Sequence, residues 1–154
     1  MVRKLLGTIV GSLLAALISM QSAHAQAKPE VLVKQRKAAM TLLGKYFGPM
    51  VAMARGKAPY DVSVVRRNAG FVDNLSRMPW DGFDPSTRDV LDTRALPAIF
   101  SNSAKFKQAA THMENEASKL VTVAKGGDEA AVKAQIGALG KACGGCHDDF
   151  REKQ

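Results

Sequence analysis

Cysteine and histidine are scarce in this chain. Its 154 residues hold two cysteines, Cys143 and Cys146, and three histidines, His24, His112 and His147. A disulfide-dense scaffold is therefore excluded, and no second ligand pair exists for a structural zinc site. A bond between Cys143 and Cys146 would close a very short loop and stabilise little. Aromatic residues make up only 6% of the chain, with a single tryptophan, and the alternation expected of strands is weak throughout. No internal repeat, low-complexity tract or nucleic-acid motif is present. Acidic residues are outnumbered 14 to 22 by lysine and arginine, giving a net charge of +8. The basic residues are spread rather than clustered, which points to a solvated surface instead of a polyanion-binding patch.

Residues 1–25 have the layout of a secretory signal. Arg3 and Lys4 supply the positive start, Leu5 to Met20 the apolar stretch, and Ala23-His24-Ala25 the small-x-small cleavage site. Gly7, Gly11, Ser12 and Ser19 interrupt the stretch, and it falls short of the about 20 apolar residues of a membrane span. Cleavage after Ala25 leaves residues 26–154, with a charge of +6 and no remaining span. That length suits one compact domain, and the exported product is expected in the periplasm.

Four helices can be read along the remainder. The first runs from about Pro29 to Arg55, with Leu32, Arg36, Met40, Leu43, Phe47, Met50 and Ala54 stepping by three or four. Pro29 suits its first turn, and Gly44, Gly48 and Pro49 are expected to bend or loosen its second half. Gly56-Lys57-Ala58-Pro59 ends it, and Asp61 can cap a second helix, Val62 to Arg77, whose stripe is Val65, Ala69, Val72 and Leu75. A long irregular connection follows from Trp80 to about Phe100. Trp80, Phe83, Leu91, Leu96, Ile99 and Phe100 should anchor it by packing. Ser101 or Ser103 can cap the third helix, which presents Phe106, Ala110, Met113, Ala117, Leu120 and Ala124. Gly126-Gly127 stops it, and so short a turn forces an antiparallel fourth helix from about Glu129 to the C-terminus. The fold class expected is all-α, a single antiparallel four-helix bundle.

The fourth helix carries the chemistry. Its apolar stripe, Val132, Ile136, Leu139, Cys143, Cys146 and Phe150, includes both cysteines, and His147 follows the second one directly. Cys143-Gly-Gly-Cys146-His147 is the pattern for covalent attachment of a c-type haem. Each thiol adds to one haem vinyl group and the adjacent imidazole becomes an axial iron ligand. On a helix the two cysteines share a face at i, i+3, with His147 at i+4 from Cys143. One turn can thus hold the porphyrin edge and reach its iron, so one covalent haem c is expected inside the bundle, with the Trp80–Phe100 connection packed partly against it.

Only seven residues follow His147, and none is methionine or histidine. A sixth iron ligand must come from upstream, or the iron has an open face. Candidates are Met40, Met50, Met53, Met78, Met113 and His112. Met40 stands out because Arg36 lies on the apolar stripe one turn before it. A charge at a core-facing position needs a buried partner, and the haem propionates are the available anions; the alternative is that Arg36 snorkels to solvent. His112 neighbours the stripe residue Met113 and so should sit at an edge or outside. Arg151, one turn after His147, can either pair on the surface with Asp148 or Glu152 or cover the face beside the imidazole. Peroxidase-type catalysis wants an acid–base pair over the haem, which the inward stripes do not offer, so a non-enzymatic role is expected.

Taken together, these residues resemble cytochrome c prime, the class II cytochromes c. The likeness is carried by Lys28-Pro29-Glu30, Arg36, Gly56-Lys57-Ala58-Pro59-Tyr60-Asp61, Pro79-Trp80 with Phe83, Phe106-Lys107, and Cys143, Cys146, His147, Asp148, Phe150 and Arg151 at the end. It implies a periplasmic bundle, often a homodimer through its first two helices, with five-coordinate high-spin iron on His147. The implied ligands are nitric oxide and carbon monoxide, with discrimination against dioxygen, and the implied work includes transfer of single electrons. Arg36, Lys37, Asp92 and Thr93 match positions that contact the propionates, Arg151 the arginine on the histidine side, and Met40 the blocking position opposite. A low-spin branch of the same class uses a methionine of the first helix as sixth ligand, which would make Met40 a ligand and the protein a simple electron carrier.

Overall fold

The computed structural model describes residues 27–153; the segment read as a secretory signal lies outside them. Four long helices dominate: α1, Pro29–Ala54; α2, Val62–Ser76; α3, Ser103–Gly126; and α4, Glu129–Phe150. They form one antiparallel bundle in which α1 packs on α2 and α4, and α3 packs on α2 and α4. Among the described residues there is no strand, only an isolated antiparallel bridge between Ala95 and Arg151. No helix among them is long and apolar enough to cross a membrane.

The helix ends follow local chemistry. Pro29 opens α1, where its missing N–H costs nothing. Asp61 caps α2 by accepting from the backbone N–H of Ser63 at 2.8 Å and Val64 at 3.1 Å. Asp128 does the same for α4 through Ala131 at 2.8 Å. Gly127 takes a positive φ of 80°, which ends α3 and turns the chain back within two residues. Two expectations fail here. The N-cap of α3 is Asn102, without a side-chain bond, and neither Ser101 nor Ser103 caps it. Leu32 and Ala54 are only half-buried, while Val33, Ala39 and Met53 are the buried α1 residues that the stripe omitted. Pro49 lies inside α1, which continues past it to Ala54.

The core gathers Met50, Met53, Val65, Ala69, Leu120, Ala124, Val132 and Ile136 toward the end of the bundle closed by the two short turns. Leu120 is completely buried, a site where burial stabilises by about 1.5–3 kcal/mol. Val72, Met113, Ala117 and Leu139 belong to this core and also form the floor of a cavity at the other end.

That other end is built by the α2–α3 connection. It is more ordered than the irregular segment expected: two tight turns, Trp80–Phe83 and Pro85–Thr87, and a single helical turn, Ala98–Ser101. Both tight turns pack against α1. Trp80, Phe83, Phe106 and Phe150 form a continuous aromatic wall from this connection across α3 to the end of α4, with ring centroids 6.2, 4.9 and 5.2 Å apart in succession. Leu91 packs on no other part of the chain, with 95% of its surface exposed, and stands instead on the wall of the cavity.

Candidate haem site

The cavity between α1, α4 and the connection has a volume of about 700 Å³, within the roughly 300–1,000 Å³ usual for cofactor pockets. All nine residues picked out in the sequence line it: Arg36, Lys37, Met40, Asp92, Thr93, Cys143, Cys146, His147 and Arg151. Of the methionines, Met40 and Met113 reach its wall, whereas Met50 and Met53 sit in the core and Met78 is exposed. His112 is exposed and lines only a surface depression.

On α4, Cys143 and Cys146 are half-buried free thiols. Burial pushes the Cys143 thiol up to about 11, with Cys146 adding to the effect. Burial raises Cys146 too, helped by Asp149. Both are therefore protonated near neutrality, in contrast to thiols tuned as nucleophiles. His147 is shifted the other way: burial lowers its pKa, Asp148 opposes this and Arg94 supports it. A neutral imidazole is the form that binds a metal.

Arg36 neither snorkels nor waits unpaired. It is 3% exposed; its Nη1 donates to the carbonyl of Gly82 and to Thr87 Oγ1, the latter at 3.0 Å, and its Nη2 donates to Thr93 Oγ1 at 3.0 Å. The guanidinium also lies 4.3 Å from the centre of the Phe83 ring. Gly82 allows this approach, because a Cβ there would fall 2.6 Å from Arg36 Cβ and 2.8 Å from the Leu32 carbonyl oxygen. Lys37 Nζ meets Asp92 Oδ1 at 2.8 Å in an exposed ion pair, which contributes little on its own. Sequence reading missed Gly82, Thr87 and Arg94 at this site. Gly82 carries a weak signal as a glycine between Trp80 and Phe83, and the other two carry none.

The donor set fits a covalently held haem. Two thiols and an imidazole from adjacent turns face a mostly apolar cavity. Arg36 makes no salt bridge among the described residues, although burial lowers its pKa and so disfavours its charge. Three of its five N–H groups are engaged, leaving two free for a carboxylate brought by a cofactor. No cluster of three or more His, Cys, Asp or Glu side chains that could hold a bare metal ion exists among the described residues.

Fold and donor set together define a four-helix haem c protein with its attachment motif at the C-terminal end. Residues 31–151 match the family model described as Cytochrome C', and the chain belongs to that family. It is 43% identical over 126 residues to cytochrome c' of Rubrivivax gelatinosus, covering 82% of this chain and 98% of the relative. The crystal structure of the Rubrivivax protein has a TM-score of 0.78 at 42% identity, covering 81% of this chain and 98% of that one. Cytochrome c prime from Shewanella frigidimarina reaches a TM-score of 0.80 at 34% identity, covering 83% and 99%. A nitric oxide complex of a leucine variant of the Alcaligenes xylosoxidans protein has a TM-score of 0.76 at 37% identity, covering 84% and 99%. The cofactor of the family is haem c, and this chain has the two cysteines for it.

Proposed function

We propose that residues 1–25 export this chain to the periplasm and that residues 26–154 form a haem c domain which binds nitric oxide and carbon monoxide and passes single electrons. His147 is the only protein ligand to iron in this reading, and Met40 blocks the opposite side without binding. The observation that carries it is the contrast between the walls of one cavity. Cys143, Cys146 and His147 project from α4, while Met40, Leu43, Phe47 and Val72 offer apolar surface. The nearby hydroxyls are occupied: Ser76 Oγ donates to the Asp73 carbonyl at 2.7 Å and Thr41 Oγ1 to that of Lys37 at 2.8 Å. Dioxygen binding gains from a hydrogen-bond donor over the iron, and Met40, Leu43, Phe47 and Val72 offer none. The unpartnered donors on the cavity, the Trp80 indole N–H and the remaining N–H groups of Arg36, belong to other residues than this apolar group.

When bound, the haem supplies an iron that changes oxidation state by one electron and accepts diatomic ligands. The chain supplies the rest. Cys143 and Cys146 fix the porphyrin edge, and the neutral His147 imidazole holds the metal. Arg36, with its two remaining N–H groups, and Lys37 meet the propionates. Asp92 and Thr93 hold those two cations in place, and Arg151 stands on the histidine side. No catalytic residue is assigned. A nitric oxide complex of an Alcaligenes relative supports gas binding as the role here.

A second reading makes Met40 the sixth ligand, and its place on the cavity wall favours it over every other methionine except Met113. Optical and EPR spectra of the ferric protein separate the two. We expect a high-spin signal with no methionine-to-iron charge-transfer band. We expect Met40→Ala to leave the spin state unchanged and to raise carbon monoxide affinity about tenfold, equal to 1.4 kcal/mol. A low-spin ferric spectrum that becomes high-spin in Met40→Ala establishes the second reading instead.

The proposed partner for assembly is a second copy. Leu42 and Phe71 are 40% and 41% exposed on α1 and α2, and Tyr46, one turn after Leu42, packs on Phe71 at 4.7 Å. These side chains make an apolar outer face shared by the two helices. Sedimentation should find a dimer that Leu42→Glu with Phe71→Glu converts to monomer; a dimer indifferent to both changes places the contact elsewhere.

A further inference from the structure

The segment 91–96 crosses the mouth of the cavity and is fastened at both ends. On the α1 side, Arg36 Nη2 donates to Thr93 Oγ1 at 3.0 Å, and Lys37 Nζ reaches Asp92 Oδ1 at 2.8 Å and the Asp92 carbonyl at 3.3 Å. On the α4 side, the Leu96 N–H donates to the Phe150 carbonyl at 3.0 Å and the Glu152 N–H to the Arg94 carbonyl at 2.9 Å, around the Ala95–Arg151 bridge. The two fastenings meet at one atom. Thr93 Oγ1 accepts from Arg36 and also from the backbone N–H of Ala95, at 3.2 Å.

The α4 fastening grips the turn that carries His147. The Arg151 N–H donates to the His147 carbonyl at 3.1 Å, and Phe150, 3% exposed, is wedged against Phe106. A helix end frays unless its last carbonyls and the residues beyond it are tied down. Here the tie is the bridge to residues 94–96. Their conformation depends in turn on a hydroxyl held by a buried guanidinium of α1.

We propose that Thr93 is a positioning residue for His147: it locks the 91–96 strap so that the last turn of α4 stays in register with Arg36 across the cavity. The role differs from contact with a propionate, and it makes the strap the element that resists movement of the imidazole. The inference rests on His147 being the iron ligand only for its spectroscopic consequence; the strap itself is a property of the chain.

Thr93→Val removes the acceptor while keeping the shape, and Thr93→Ser restores it. In amide hydrogen exchange of the holoprotein, Thr93→Val should speed exchange at Leu96 and Glu152 about tenfold, the effect of one lost hydrogen bond on local opening. Amides at the α2–α3 interface should be unchanged. In resonance Raman of the ferrous protein the iron–imidazole stretching band should shift and broaden, and Thr93→Ser should return both readouts to those of the unaltered protein. Unchanged exchange at residues 96 and 152 overturns the strap. Faster exchange with an unmoved band overturns the positioning of His147. A band absent from the unaltered protein is the result expected if Met40 is a sixth ligand; the same comparison is then made in Met40→Ala, where an unmoved band overturns the positioning of His147 in the same way.

Discussion

With Cys143 and Cys146 both replaced by alanine, the protein should lose all its haem to acidified acetone, whereas the unaltered protein keeps its colour in the precipitate. The two thiols sit at i, i+3 on α4 and line the same cavity as His147. Thioether bonds survive acid, but an imidazole–iron bond does not, because protonation removes the lone pair that binds the metal. Each single replacement leaves one linkage, so colour should remain with the protein while the spectrum changes through the surviving vinyl group. Extraction followed by absorbance of both phases reads the outcome directly. Colour extracted from the unaltered protein would remove the covalent attachment on which the site is built.

Gly82→Ala should be among the most damaging small changes in the chain. A Cβ at this position would stand 2.6 Å from Arg36 Cβ and 2.8 Å from the Leu32 carbonyl oxygen. Neither neighbour is the loose end of a side chain: one is the root of a buried residue and the other is helix backbone. The tight turn Trp80–Phe83 must therefore move off α1, taking the Gly82 carbonyl from Arg36 and Phe83 from the guanidinium it covers. Overpacking of this kind costs about 1–3 kcal/mol, and the lost hydrogen bond to a charged donor adds about 1.5–3 kcal/mol. Thermal unfolding should show a fall in Tm of several degrees or more. Gly137→Ala, exposed on α4 away from the cavity and with nothing within 4 Å of the added carbon, is the control. It should hold Tm or raise it slightly, since alanine is favoured over glycine in a helix by about 1 kcal/mol. An unaltered Tm in Gly82→Ala means that the turn is not held against Arg36 as described.

These two sites also show how far the sequence could be read. The attachment motif was legible because covalent chemistry dictates both residue types and spacing, and its partners lie within one helical turn. The helices were legible for a similar reason: Pro29, Asp61, Gly127 and Asp128 act on their own neighbours, so their effects are local. Arg36 was legible as an anomaly, a charge on an apolar stripe, but its partners were not. Gly82, Thr87 and Thr93 lie 46 to 57 residues away, and no periodicity links them to it. Leu91 was legible as apolar but not as to where it turns, because hydrophobicity does not say which way an irregular segment points its side chains; it lines the cavity rather than packing on a neighbouring helix. The buried Gln135 was also missed. Its amide donates to the Glu116 carbonyl at 3.1 Å and carboxylate at 2.6 Å, a pairing that exists only once α3 and α4 are side by side.

The uneven filling of the bundle has a mechanical consequence. Met53, Val65, Ala124 and Val132 cluster beside the turns at 55–61 and 127–128, while the ring and thiol side chains stand at the opposite extremity. The packed end and the cavity end are thus held by different means: one by side-chain filling, the other by a tie running from α1 through residues 92–96 to the last turn of α4. A change inside the cavity is therefore borne by that tie and need not be passed to the filled end.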